Sequence, residues 1–146
     1  MNLTAFRVGA AAWMFTGVVH DILEFAIPGD PELNAAMRAS HIQMGPISLQ
    51  AEQLNRGVSL AMGLAMFVVG LLLWMLAELL KAAPDRVRTF GMVALASSVA
   101  ALGLAVLLIP GPPLVTFSFA TIAFTVALVK APQSVQPTAV ARRGAR

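Results

Sequence analysis

His20, Asp21 and Glu24 stand together at the end of an otherwise apolar stretch, Val8–Val19, and the next apolar stretch opens on Glu52, Asn55 and Arg56. A histidine one helical turn from a carboxylate can exchange protons near neutral pH, which suits general acid–base catalysis. On a helix, Trp13, Thr16, His20 and Glu24 recur every three or four residues and share one face. Asp21 lies about 100° further round. A second stripe, Glu52, Asn55, Ser59, Gly63, Met66 and Gly70, recurs in the same way, and its small residues allow helices to approach closely. Turning both stripes inward brings His20 and Glu24 near Glu52 and Asn55, with His41 hanging over them. His20, Glu24 and Glu52 are then the catalytic candidates, while Trp13, Asp21, His41 and Asn55 line the substrate site. The chemistry that fits is double-bond migration, or proton-triggered cyclisation, in a lipophilic isoprenoid-like molecule.

Two other readings compete for the same residues. Ionisable groups cost roughly 2.5–3.5 kcal/mol each at the centre of a span, so they usually face an interior and mark function. That cost falls towards the membrane surface, and these residues lie near a span end. In the first alternative His20, Asp21 and Glu24 simply meet headgroups and water, and Glu52–Arg56 is a surface ion pair. In the second, His20, Glu24, His41 and Glu52 supply two imidazoles and two carboxylates to zinc or iron. The di-iron pattern is Glu-x-x-His on each of two helices, and His20–Glu24 has neither that order nor that spacing. No metal and no other cofactor is expected. Cysteine is absent, which excludes thiolate ligands and thiol nucleophiles, and there is no Gly-rich phosphate loop or Ser–His–Asp set.

The elements that must position these groups are membrane helices. Of 146 residues 58% are hydrophobic and 12% charged; a soluble domain carries about 25% charged residues. The expected fold class is all-α, an integral membrane four-helix bundle with spans at about 5–27, 56–80, 90–109 and 113–130. A cleaved signal peptide is the rival reading of the first span, but no clean small-x-small cleavage site precedes its charged residues. Pro28-Gly29 breaks the first helix. Asp30-Pro31 starts a short helix, predicted over Pro31–Met44 and lying at the membrane interface; Gly45-Pro46 stops it, and Ser48 caps the next. Pro110-Gly111-Pro112-Pro113 divides the long uncharged run Thr89–Val129 into two spans. Residues 131–146 read as a disordered basic tail.

Cations set the expected orientation. Lys81, Arg86 and Arg88 lie between spans two and three, and Arg142, Arg143 and Arg146 follow span four, which places both termini in the cytoplasm of an inner (plasma) membrane protein. His20, Glu24 and the short helix then lie near the outer face. Because the cations flank apolar spans, they read as membrane anchors, and no nucleic-acid partner is expected.

Arg7-x-Gly9, the Gly17-Val18-Val19-His20 end of span one, Met37 and the run Asn55-Arg56-Gly57-Val58-Ser59-Leu60-Ala61-Met62-Gly63-Leu64 carry a family resemblance. Over residues 5–80 and in its four-span layout the chain resembles the small bacterial membrane proteins grouped as DoxX-like. That resemblance implies membrane location and a role beside a redox or biosynthetic partner, and brings no catalytic residue. Two functional classes therefore stand side by side. One is a membrane isomerase or cyclase binding a lipophilic small molecule; the other is a non-catalytic subunit or lipid-binding module with a protein partner or a homo-oligomeric state. Transport is a weaker third class, for no inverted repeat is visible.

Overall fold

The computed structural model describes residues 2–79, 81, 84–108 and 111–129, with backbone alone at 84–87. The predicted tail, 131–146, lies outside the described residues. The fold is helical apart from one hairpin: α1 Leu3–Ala26, α2 Pro31–Ala39, β1 His41–Met44, β2 Ile47–Gln50, α3 Ala51–Leu79, α4 Pro84–Leu108 and α5 Pro112–Val129.

Three helical stretches are long and apolar enough to cross a membrane, Ala51–Leu79, Arg88–Leu108 and Pro112–Val129. Helix α1 joins them only when taken together with α2, from which it is bent by 88°, giving up to four candidates. Its polar end is the reason: His20, Asp21 and Glu24 dilute the hydropathy of a helix that is otherwise as apolar as its neighbours.

Helix α1 occupies the middle. It packs along α3 on one side and α5 on the other, and α5 packs in turn on α4. Lipid tails are as apolar as leucine, so close packing and polar contacts hold such helices together in a bilayer. The α1–α3 seam shows how. A Cβ on Gly17 would run into the backbone carbonyl of Gly63 and lie 2.7 Å from Phe67 N, and one on Gly70 would lie 2.6 Å from Met14 N. Glycine at these positions lets the two backbones touch.

The α1–α5 seam is aromatic. Phe6 and Phe124 meet edge to face at 5.2 Å, and Trp13 and Phe117 at 5.1 Å. Phe6 and Phe124 are fully buried, and the Phe124 ring lies against Gly9, where a Cβ would sit 2.7 Å from it. Small residues Gly91, Ala94, Ser98 and Ala105, which share one helical face, form the buried stripe of α4. Asn2 fastens the start of α1: its side chain accepts from Ala5 N at 3.2 Å, and its own N–H donates to Ala127 O at 2.8 Å.

Between α1 and α3 the structure departs from the predicted helix Pro31–Met44. Asp30 does cap α2, accepting from Glu32 N and Leu33 N at 2.8 and 3.1 Å. The helix nevertheless stops at Ala39, because Ser40 turns to extended backbone and its hydroxyl donates to Ala36 O at 2.9 Å. Beyond Ser40 the chain forms an antiparallel hairpin pairing His41 with Gln50, Ile42 with Leu49, Gln43 with Ser48 and Met44 with Ile47. Gly45, at φ +62°, is the first residue of its two-residue turn, a backbone state suited to glycine, with Pro46 second. Ser48 therefore belongs to β2 and does not cap α3. Met37, His41 and Met44 fit a helical period, but Ile42, Met44, Ile47 and Leu49 also fit the alternation of a hairpin around Gly-Pro, and the turn decides between them.

Candidate functional site

The polar end of α1 and the start of α3 face each other across a cavity of about 530 Å³. His20 and Glu24 wall it from α1, Glu52, Asn55 and Arg56 from α3, and Leu33 and Met37 from α2. Helix α2, fastened by its Asp30 cap, thus serves as one side of the opening.

Ser59 joins the two α1 groups. Its hydroxyl donates to Glu24 Oε2 at 2.7 Å and lies 3.1 Å from His20 Nε2, which is also 3.2 Å from Ser59 O. A carbonyl oxygen can only accept, and the hydroxyl proton is already given to Glu24. The network therefore assigns a proton to Nε2, which donates to Ser59. The result is a directed chain, His20 Nε2–H to Ser59 Oγ–H to the Glu24 carboxylate. It can pass a proton from an imidazolium to the carboxylate, or back from the carboxylic acid to the imidazole, without moving a heavy atom.

Charges at the rim are engaged. Arg38 from α2 approaches Glu52 at 3.6 Å, and the Arg56 guanidinium sits 4.8 Å over the Phe25 ring. Glu52 is thus paired with Arg38, and the anticipated Glu52–Arg56 ion pair does not form. Both contacts tie the lip of the cavity together; exposed pairs of this kind contribute about 0–1 kcal/mol.

The remaining sequence candidates go elsewhere. Trp13 is buried two turns below, where its Nε1–H donates to Ser98 Oγ on α4 at 2.9 Å. It is a strut between α1 and α4 and does not line the cavity. Asp21 points into the α1–α3 seam against Gly63, where a Cβ would collide with its Oδ1, and that buried oxygen has no hydrogen-bond partner. His41 is exposed on β1, across from Gln50, and is not part of the cavity wall. The structure thus brings His20, Glu24, Glu52 and Asn55 to one cavity and leaves Trp13, Asp21 and His41 outside it. Sequence reasoning places Ser59 on the inward stripe but gives it no role. The signal is present all the same: Ser59 is one turn beyond Asn55 and carries the one hydroxyl of the inward stripe. Among the described residues, no three histidine, aspartate or glutamate side chains are placed to hold a metal ion.

Comparison with known proteins adds nothing to this geometry. No protein-family model matches the chain, and neither a curated protein nor a solved structure matches it.

The opposite end of the α1–α3 seam carries a second polar cluster. Arg7 of α1 pairs with Glu78 of α3, Lys81 pairs with the same carboxylate, and the Arg7 guanidinium lies 5.9 Å from the Trp74 ring. The two helices are therefore antiparallel and polar at both ends.

Proposed function

We propose that the chain is a multi-pass membrane protein that performs acid–base isomerisation or cyclisation of a lipophilic, isoprenoid-like molecule in the cavity beside His20. The observation that carries this is the chain His20 Nε2–Ser59 Oγ–Glu24 Oε2 at the cavity wall. In an isomerisation, Glu24 as carboxylate takes a proton from one carbon and His20 as imidazolium supplies its Nε2 proton to another, so a C–H bond breaks and a C–H bond forms. The Ser59 hydroxyl, in contact with both groups, then returns the proton from Glu24 to His20 Nε2. The cycle is redox-neutral and consumes no co-reactant. Glu52, held by Arg38, faces the same space and assists in placing the polar part of the molecule.

The membrane arrangement belongs to the same proposal. Helix α1 has 24 residues, which at 1.5 Å each is about 36 Å, enough for a bilayer core of about 30 Å. It is taken as the fourth span of a bundle in an inner (plasma) membrane, with both termini cytoplasmic, the cavity outside and α2 at the interface. Arg7, Lys81 and Arg88 at the end remote from the cavity support that orientation. Kinship with the DoxX-like proteins rests on the sequence resemblance alone.

Native mass spectrometry of protein gently extracted from its own membranes tests the reading. A retained lipophilic molecule, lost in the His20→Ala/Glu24→Ala double variant, is the expected result. A stoichiometric protein partner, with no small ligand and no effect of that variant, would overturn it in favour of a non-catalytic subunit.

A further inference from the structure

The hairpin His41–Gln50 contributes nothing to the acid–base chain, yet its residues sort by face. In its register Ile42, Met44, Ile47 and Leu49 share one face and His41, Gln43, Ser48 and Gln50 the other. Protein leaves most of the apolar face bare: Ile42, Met44 and Ile47 are 41%, 53% and 57% exposed, and only Leu49 is half-buried. A lone two-stranded hairpin is at best marginally stable in water, so this face needs a cover.

Three observations identify the cover. The chain passes from β2 directly into α3, whose outward Val58 and Met62 begin the apolar surface of a membrane-length helix. No aspartate, glutamate, lysine or arginine lies between Arg38 and Glu52, so the hairpin carries no fixed charge to hold it off an apolar surface. Its apolar face amounts to four side chains, too few for a stable protein interface of about 800 Å² per partner.

We propose that the hairpin docks on the lipid surface, with Ile42, Met44, Ile47 and Leu49 set into the boundary between headgroups and acyl chains and the opposite face in water. Depth is limited by the backbone. Both outer edges of a two-stranded sheet carry unpaired N–H and C=O groups, which the hydrocarbon core does not tolerate. The boundary layer, about 5–10 Å deep, accepts amphipathic elements of this kind. Lipid contact here would brace the segment joining α2 to α3, and so the lip of the cavity.

Because the chain contains no cysteine, single sites can be labelled cleanly. The full chain is prepared as Ile47→Cys, Gln43→Cys and Leu72→Cys, each carrying an environment-sensitive fluorophore. Each is reconstituted in phosphatidylcholine vesicles containing lipid spin-labelled near the headgroup or near the chain end. Leu72, exposed on the apolar stretch of α3 seven residues before its end, reports the bilayer core. The expected result is loss of emission at position 47 with the shallow quencher, retained emission at 43, and loss at 72 with the deep quencher. Equal behaviour at 47 and 43 with a quenched 72 would overturn hairpin docking, as would a 47 label quenched most by the deep lipid. An unquenched 72 would overturn the bilayer environment and the docking together. The result is separable from the acid–base reading, since His20→Ala should leave quenching at 47 unchanged.

Discussion

Gly17→Ala should part α1 from α3 and break the proton chain one turn away. The added Cβ would lie 2.7 Å from Phe67 N, against 3.4 Å for the nearest ordinary contact, a shortfall of about 0.7 Å. The Gly63 carbonyl is closer still, and both obstacles are backbone, so no side chain can swing aside. If α1 retreats by that amount, the 3.1 Å separation of His20 Nε2 from Ser59 Oγ grows to about 3.8 Å, beyond hydrogen-bonding range. Overpacking of this sort costs typically 1–3 kcal/mol, a rise of roughly 5- to 160-fold in the unfolding constant. Gly57→Ala is the matched control on α3, where nothing lies within 4 Å of the new methyl. There the gain in helix propensity, about 0.5–1 kcal/mol, should dominate and the sign reverse. Denaturant titration in mixed micelles measures both, and hydrogen exchange at the His20 Nε2–H, followed by nitrogen NMR, reads the chain itself. Equal stability of the two variants, with the His20 proton still protected in Gly17→Ala, would refute the close-approach reasoning.

Two more outcomes are expected from single contacts. Trp13→Phe leaves the Ser98 hydroxyl buried without a partner and should cost about 1–3 kcal/mol, while adding Ser98→Ala should recover much of the loss; an additive double-mutant cycle would deny the bond. Gly45→Val places a β-branched residue at φ +62° and should abolish amide protection at the paired strands, whereas Gly45→Asn should largely keep it; unchanged exchange in the valine variant would argue against the turn.

The inward faces of α1 and α3 are legible in the sequence because helical spacing and residue size point the same way. Gly63 and Gly70 mark a face on which another helix can come close, and His20 and Glu24 share a face by period alone. The Pro31–Met44 stretch misleads because its apolar residues satisfy two periods at once. Only the geometry of Gly45, a property of the folded turn, chooses between them. Trp13 does lie on the inward stripe, but its partner Ser98 belongs to a helix whose depth and rotation relative to α1 no local pattern encodes. Asp21 is a substrate-site candidate because it adjoins His20 in sequence; the rotation that separates the two carries it into the seam instead. His41 shares the fate of the helix predicted to hold it.

Helix α1 is central, and that bears on how the chain assembles. Its two flanks are filled by α3 and by α5, and the Phe6–Phe124 contact and the Asn2–Ala127 backbone bond join the start of α1 to α5, far away in the sequence. During synthesis, domains form from the amino end as the chain emerges. Here α1 keeps one aromatic flank bare until α5 has been inserted. Contacts so distant in sequence carry the full entropy of closing the intervening chain, which slows the final docking. A ribosome-stalled chain ending before α5 would hold the α1–α3 seam and the proton chain while still exposing Phe6 and Trp13. Chaperone or insertase contact with those two side chains would then mark the waiting period.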